Sequence, residues 1–287
     1  MFEVNGERIA LVTDTACDLS DEQLRRYDIR TIPLRLSTSK GEFRDRLEIS
    51  PTALYEIMEK ELPKTSLPLP DDVSAVYRKA IDDGATRILH VSISSGLSGT
   101  HNMCGIVAQD FAPFPIDVFD TLTLSAGEGL LVLDAARCLE AGGTPEEAAA
   151  LMKRRRSGQL GTFVIRTLEY LRKGGRIGLV EGMLGSLLQI KPVIYVNDDG
   201  IYDTLVKARG FTKALNAMRD SFFERYAGQR VRVAIVHGNA EEDGMKLLEE
   251  FRARLDVEEI FLSPVSPALA IHTGPGLLGA IVEPAGD

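Results

Sequence analysis

Between Arg87 and Thr100 an apolar run, Ile88-Leu-His-Val-Ser-Ile93, breaks into hydroxyls and glycines, Ser94-Ser-Gly-Leu-Ser-Gly-Thr100. A strand that turns this way into a helix start exposes backbone N–H groups and hydroxyls where the helix end favours negative charge. The segment is therefore a candidate anion cradle. Gly96-Leu-Ser-Gly-Thr100 is close to a nucleophile elbow, but Thr100 stands where the final glycine must let a strand turn tightly into a helix. Phosphate-loop spacing is missing, and Lys173-Gly-Gly-Arg-Ile-Gly178 lacks the strand-before, helix-after setting of a dinucleotide fingerprint, so Gly174 reads as a helix C-cap. The four histidines show no metal-ligand spacing, and no metal or cofactor is expected. His90 and His237 read as structural and His101 as a first-turn helix residue. His272 stands beside the rigid turn Gly274-Pro-Gly276, which fixes its direction. In Lys64-Thr-Ser-Leu-Pro68 two hydroxyls precede a proline-stiffened extended segment.

The rest of the chain limits what such residues can serve. A net charge of −9 over 287 residues argues against nucleic acid or an anionic membrane surface as partner. The basic cluster Lys153-Arg-Arg-Arg156 follows Glu146 and Glu147 on the same expected helix and reads as a solvated face. Three cysteines without metal spacing point to a reducing compartment. Met1-Phe-Glu-Val-Asn-Gly-Glu7 has neither the basic flank nor the apolar core of an export signal, and no apolar run reaches membrane-spanning length. The expectation is a cytoplasmic protein without integral membrane association.

The elements that must position these residues follow from periodicity. Arg8 to Val12 is a strand, Ser20-Asp-Glu-Gln23 a capping box opening a helix, and Ile29 to Leu36 a second strand. Ser50-Pro51 starts a helix, Asp71 or Asp72 another ending near Gly84. Then come a strand from Arg87 to Ile93, a helix from Ser98 to Gln109, a strand from Ile116 to Asp120 and a helix from Ser125 to Glu140. Alternating strands and helices imply an α/β unit with a mostly parallel sheet flanked by helices, whose ligands bind beyond the carboxyl ends of the strands. Downstream, Lys191 to Val196, the turn Asn197-Asp-Asp-Gly200 and Ile201 to Val206 form a hairpin, which marks a C-terminal α+β unit with a mixed or antiparallel sheet. The division falls near Ser157-Gly158, giving domains 1–158 and 159–287, with a segment near 40 to 70 able to pack across it.

Five ordered motifs, Lys64-Thr-Ser, Ser94-Ser-Gly-Leu-Ser-Gly-Thr100, Leu168-Glu-Tyr-Leu-Arg-Lys-Gly-Gly-Arg176, Ile190-Lys-Pro192 and His272-Thr-Gly-Pro-Gly276, together resemble the DegV family. The likeness extends from Val12-Thr-Asp-Thr-Ala-Cys-Asp18 to Gly276. It implies a two-domain α/β protein that holds one long-chain fatty acid in an interdomain tunnel. It also implies that the protein presents the carboxylate to a separate, ATP-using fatty acid kinase subunit that makes an acyl phosphate. By the same resemblance Thr65, one of Ser94 and Ser95, and His272 hold the carboxylate, with Arg209 near the same end. Where the family has an aromatic and then small residues after Thr100, this chain has His101-Asn-Met-Cys104, a change that would reshape the tunnel wall. Gly182 to Ile190 supplies further candidate wall residues, which core packing explains equally well.

Hydroxyls, helix N–H groups and an imidazole suit a carboxylate entering an apolar cleft, and a protonated His272 would add charge compensation. About 14 buried methylenes give on the order of 11 kcal/mol gross, so a dissociation constant near or below micromolar is expected after ordering costs. Two alternatives remain at this point. One is a stand-alone serine acyl hydrolase with Ser94 or Ser95 as nucleophile and His272 as base; the other is a binder of a small phosphorylated ligand.

Overall fold

The computed structural model describes residues 1–183 and 190–286. Along the chain, β1 (Phe2–Val4), β2 (Glu7–Asp14), α1 (Asp21–Arg26) and β3 (Arg30–Ile32) come first. They are followed by β4 (Arg35–Thr38), β5 (Gly41–Arg44), α2 (Pro51–Met58), β6 (Lys64–Ser66) and α3 (Pro70–Asp82). Next are β7 (Arg87–Ser92), α4 (Thr100–Gln109), β8 (Ile116–Asp120), α5 (Ala126–Glu140) and α6 (Pro145–Gly158). The remainder is β9 (Leu160–Val164), α7 (Glu169–Lys173), β10 (Ile190–Val196), β11 (Tyr202–Arg209), α8 (Phe211–Arg225), β12 (Arg230–His237), α9 (Glu241–Arg254), β13 (Asp256–Pro264), α10 (Pro267–Thr273) and β14 (Leu278–Pro284).

In the first sheet β2 pairs in parallel with β7 and β7 with β8. β7 takes Ile9 to Val12 on one edge of β2, so the antiparallel β1 and the parallel β3 share the other edge. One face packs under α5 and α6 through Leu11, Leu89, Leu131 and Met152; the other packs on α3 and α4 through Val12, Tyr77, Ile88 and Val107. The second sheet runs β11-β10-β9-β14-β12-β13, with β12 and β13 parallel and the other pairs antiparallel. Its outer face is covered by α8 and α9 through Phe222 and Phe251. The expected α/β and α+β architecture is observed, including the hairpin of β10 and β11.

Ile29 to Leu36 is not one strand. The chain leaves the first sheet after Ile32 because Pro33 has no N–H to donate, and the Leu34 N–H turns to Thr15 Oγ1 at 3.1 Å. From Arg35 it joins β5 and β6 in a small antiparallel sheet. That sheet and α2 close over a central cluster in which Leu36, Leu54, Ile93 and Leu130 meet Phe163, Ile194, Leu269 and Ile281, so the segment near 40 to 70 does pack onto the second sheet.

Polar ties accompany this cluster. Arg232 on β12, 3% exposed, pairs with Asp134 on α5 at 2.5 Å and with Glu283 on β14, both buried. Arg156 is not part of a solvated face: its guanidinium donates to the carbonyls of Leu122 and Asn197 at 3.0 and 2.7 Å. Arg155 is likewise turned inward, 3.7 Å from Asp134. Among the described residues no helix is long and apolar enough to cross a membrane.

Candidate functional site

The small sheet delivers Thr65. Pairing of β6 with β4 sets Thr65 opposite the buried Leu36 and turns its hydroxyl toward the helix α10. α10 delivers His272 in its last turn. Gly274 closes the helix at φ +72°, a conformation that suits glycine, two residues after His272. Thr65 Oγ1 and His272 Nε2 lie 2.8 Å apart.

Room for the ring comes from Gly174. This residue ends α7 in an ordinary right-handed conformation, φ −78°, so its lack of a side chain matters sterically rather than conformationally. A Cβ there would lie 2.1 Å from His272 Nδ1. Burial, together with the positive charge of Arg176, lowers the His272 pKa to about 4. The imidazole as it stands is therefore neutral at pH 7, and a carboxylate brought against it would favour the charged form. The charge is supplied by Arg176, half-buried, which donates to Gly174 O at 2.8 Å and forms no ion pair among the described residues. It was the one basic residue after the glycines of Lys173-Gly-Gly-Arg176 without an acid at helical spacing, a signal too local to assign a role.

Thr65, His272 and Arg176 line one cavity of about 490 Å³ with Ser66, Ser98 and apolar neighbours. Leu124, Tyr202 and Leu269 belong to this wall and also to that of a second cavity of about 460 Å³, lined mainly by Phe163, Val196, Val236, Val265, Leu277 and Ile281. Both volumes include open solvent at the mouths; the free room inside each is about 40 Å³, so a long chain has to part the walls to enter. The first cavity is rimmed by exposed Ser66 and half-buried Leu67, Leu97 and Ser98, whereas the second is walled by buried side chains.

The expected cradle is used differently. Ser94 is buried, and its Oγ donates to Gly200 O at 2.7 Å while accepting from Gly96 N–H. Gly96 presses against the same hairpin turn, where a Cβ would stand 2.9 Å from the carbonyls of Asp199 and Gly200. Ser95 is exposed, with its N–H on Asp120 Oδ1. The loop thus docks onto the hairpin, and only Leu97 and Ser98 reach the head cavity. Arg209 sits exposed at the end of β11, outside the lining of either cavity. The structure brings Thr65 and His272 together and leaves Ser94, Ser95 and Arg209 apart from them. Residues 101–104 face away: Cys104 packs in the layer of α3, and His101 bonds Ser92. Of the candidate wall from Gly182 to Ile190, residues 184–189 lie outside the described residues.

The motif Val12 to Asp18 is scaffolding for all of this. Asp14 accepts the N–H groups of Ala16 and Ile93, and burial raises its pKa to about 6. Asp18 Oδ1 accepts the Ser266 N–H at 2.8 Å and its Oδ2 takes the Ser125 hydroxyl; Asp45 Oδ1 accepts the Ala268 N–H at 3.1 Å. Burial raises Asp18 to about 6 and Asp45 to about 7. These two carboxylates hold the start of the helix that carries His272. Chemically the arrangement offers a hydroxyl, an imidazole and a guanidinium beside an apolar cavity, a set suited to one carboxylate.

A family profile described as "Uncharacterised protein, DegV family" matches residues 8–285. A DegV domain-containing protein of Clostridium acetobutylicum is 33% identical over 276 residues, 96% of this chain and 99% of the relative. One from Streptomyces coelicolor is 33% identical over 280 residues, 97% and 99% of the two chains. Among solved structures, a fatty acid-binding DegV family protein of Thermus thermophilus superposes with a TM-score of 0.90 at 35% identity, covering 96% of this chain and 99% of that one. A stearic acid-binding protein of Eubacterium ventriosum superposes with a TM-score of 0.88 at 28% identity, covering 96% and 98%. With the profile spanning nearly the whole sequence and the fold shared from end to end, this chain belongs to the DegV family.

Proposed function

We propose that the protein binds one long-chain fatty acid between its halves, residues 1–158 and 159–287, and presents the carboxylate to a separate ATP-dependent kinase subunit that forms an acyl phosphate. The carboxylate lies against Thr65, His272 and Arg176, and the tail fills the enclosure behind Leu124, Tyr202 and Leu269. The observation that carries this reading is that the two cavities adjoin across shared wall residues, Leu124, Tyr202 and Leu269: a polar set lines one and buried apolar side chains line the other. The solved relatives described as fatty acid-binding support the ligand class. A head group near the rim, at Ser66 and Ser98, is within reach of a second protein, whereas a tail in the inner chamber is shielded from water.

In this reading the protein is a cytoplasmic carrier with no turnover of its own and no nucleic acid partner. The serine hydrolase alternative needs Ser94 or Ser95 on the imidazole of His272, but the hydroxyl there is that of Thr65, and Ser94 Oγ is spent on the Gly200 carbonyl. A phosphorylated ligand would leave the apolar chamber unused. Native mass spectrometry followed by extraction of the purified protein tests the reading. A stoichiometric C14 to C18 acid, retained less by T65A and H272A and phosphorylated only when a kinase subunit and ATP are added, is the expected result. A protein that arrives empty and takes up no added fatty acid overturns it.

A further inference from the structure

We propose that Asp18 and Asp45 are positioning residues for the head-group pocket: by accepting the N–H groups that open α10 they fix that helix, and through it the imidazole of His272. The inference rests on His272 being a carboxylate ligand, as read above. A helix start is ordinarily served by its own N-cap side chain, and Ser266 is of a favoured type. Here the Ser266 side chain makes no cap bond, while the two N–H groups are taken by carboxylates 248 and 223 residues away in sequence.

Asp18 does more than cap. Its Oδ2 receives the hydroxyl of Ser125, at the start of α5 and in the wall of the tail chamber, and its main-chain oxygen receives the hydroxyl of Ser263 near the end of β13. One residue thus ties two elements, α5 and β13, to the beginning of α10. From Ala268 to His272 is about one helical turn, roughly 6 Å, so little compliance separates the anchored end from the ring. At the far end the ring lies against Gly174 with no room for a methyl group, and its bond to Thr65 is 2.8 Å long. A shift of α10 by even about 1 Å stretches that bond beyond hydrogen-bonding range.

The test compares D45A with D45N in the full chain. Asparagine keeps an oxygen for the Ala268 N–H; alanine does not. Ligand-free, histidine-labelled protein is followed by NMR, with the His272 ring signals assigned by their loss in H272Q, and palmitate dissociation constants are measured in parallel. D45A is expected to move the His272 ring signals and weaken palmitate about tenfold, and D45N to restore both to within about twofold. If D45A does not fold, D45S, whose hydroxyl is too short to reach Ala268, carries the same comparison. Ring signals unchanged in the truncated variant, or D45N as impaired as D45A, overturn the proposal. If H272A binds palmitate like wild type, the carboxylate reading fails instead, and the ligand-free spectra still decide whether the carboxylates position the ring.

Discussion

Replacing Gly174 by alanine separates the geometry of the head-group site from stability in general. Its backbone, φ −78° and ψ −8°, is one that alanine adopts freely, so the substitution should stabilise the chain by about 0.5–1 kcal/mol through the unfolded state. Against that, the new methyl would stand 2.1 Å from His272 Nδ1 and 2.8 Å from Cε1. Ordinary contact is about 3.5 Å, so the imidazole has to retreat by more than about 1 Å. The Thr65 bond then breaks, and a buried donor and acceptor lose their partners at a cost of about 1–3 kcal/mol. Fatty acid affinity should fall by about tenfold or more, with a net loss of stability of at most about 2.5 kcal/mol. Gly175, the next residue, is the control. It has φ +71° with open space where a Cβ would be, so G175A carries left-handed strain of about 1–2 kcal/mol without touching the ring. Isothermal titration with palmitate and thermal denaturation of both variants give the comparison: the two should lose stability of the same order, and G174A alone should lose binding. A G174A protein that binds palmitate as tightly as wild type would refute the assignment of His272 to the site.

Other outcomes follow from the same geometry. R176Q should weaken palmitate by about tenfold and flatten the salt dependence of binding, while R209Q, at an exposed strand end, should stay within about twofold; equal losses in the two, read by fluorescence competition, would reverse the choice between these arginines. Ser125 has φ +58° and ψ −148°, a region nearly reserved for glycine, at about 1–3 kcal/mol of strain, and its hydroxyl serves buried Asp18. S125A keeps the strain and loses the bond, whereas S125G loses both, so S125A should melt below S125G; the reverse order would show that Ser125 is unstrained. Asp45, raised from 3.8 to about 7 by burial, holds its proton in the folded state between those values while the unfolded chain gives it up. Its contribution is therefore full below about pH 4 and lost as pH rises through 7, at most about 4 kcal/mol. D45N lacks this dependence, so its stability relative to wild type should improve from pH 4.5 to 7.5 in urea titrations. A pH-independent difference would place the Asp45 proton elsewhere.

Much of the architecture is readable locally because its signals are local. Ser20 and Gln23 form the capping box their spacing announces, Ser50 with Pro51 opens α2, and the apolar runs around Asn197-Asp-Asp-Gly200 pair as a hairpin. The three-stranded sheet escapes such reading: strands of three and four residues carry too little pattern, and β6 finds β4 across more than twenty residues. The site divides in the same way. Thr65 and His272 are carried by distinctive motifs, His272 beside a turn that glycine dictates. Ser94 has the right type in the right loop, yet the carbonyl of Gly200, brought in by the second half of the chain, takes its hydroxyl. Arg156 reads as one of four exposed charges until the carbonyls of Leu122 and Asn197 arrive around it. The caps on α10 come from residues over two hundred positions away, a distance at which no periodicity operates.

The buried ion network of Arg232, Asp134 and Glu283 decides where such a carrier can gape. Pulling α5 away from the second sheet strands charges in a dry seam, and breaking one buried pair costs about 3–5 kcal/mol. Along that line the two halves behave as if riveted. Around the first cavity the closures include two hydroxyl bonds, from Thr65 to His272 and from Ser94 to Gly200 O, and apolar contacts of Leu67 and Leu97, none of which is an ion pair. If the protein carries a long chain as proposed, loading and unloading belong to this soft margin, with the charged seam as the fixed spine of a purse that opens on one side.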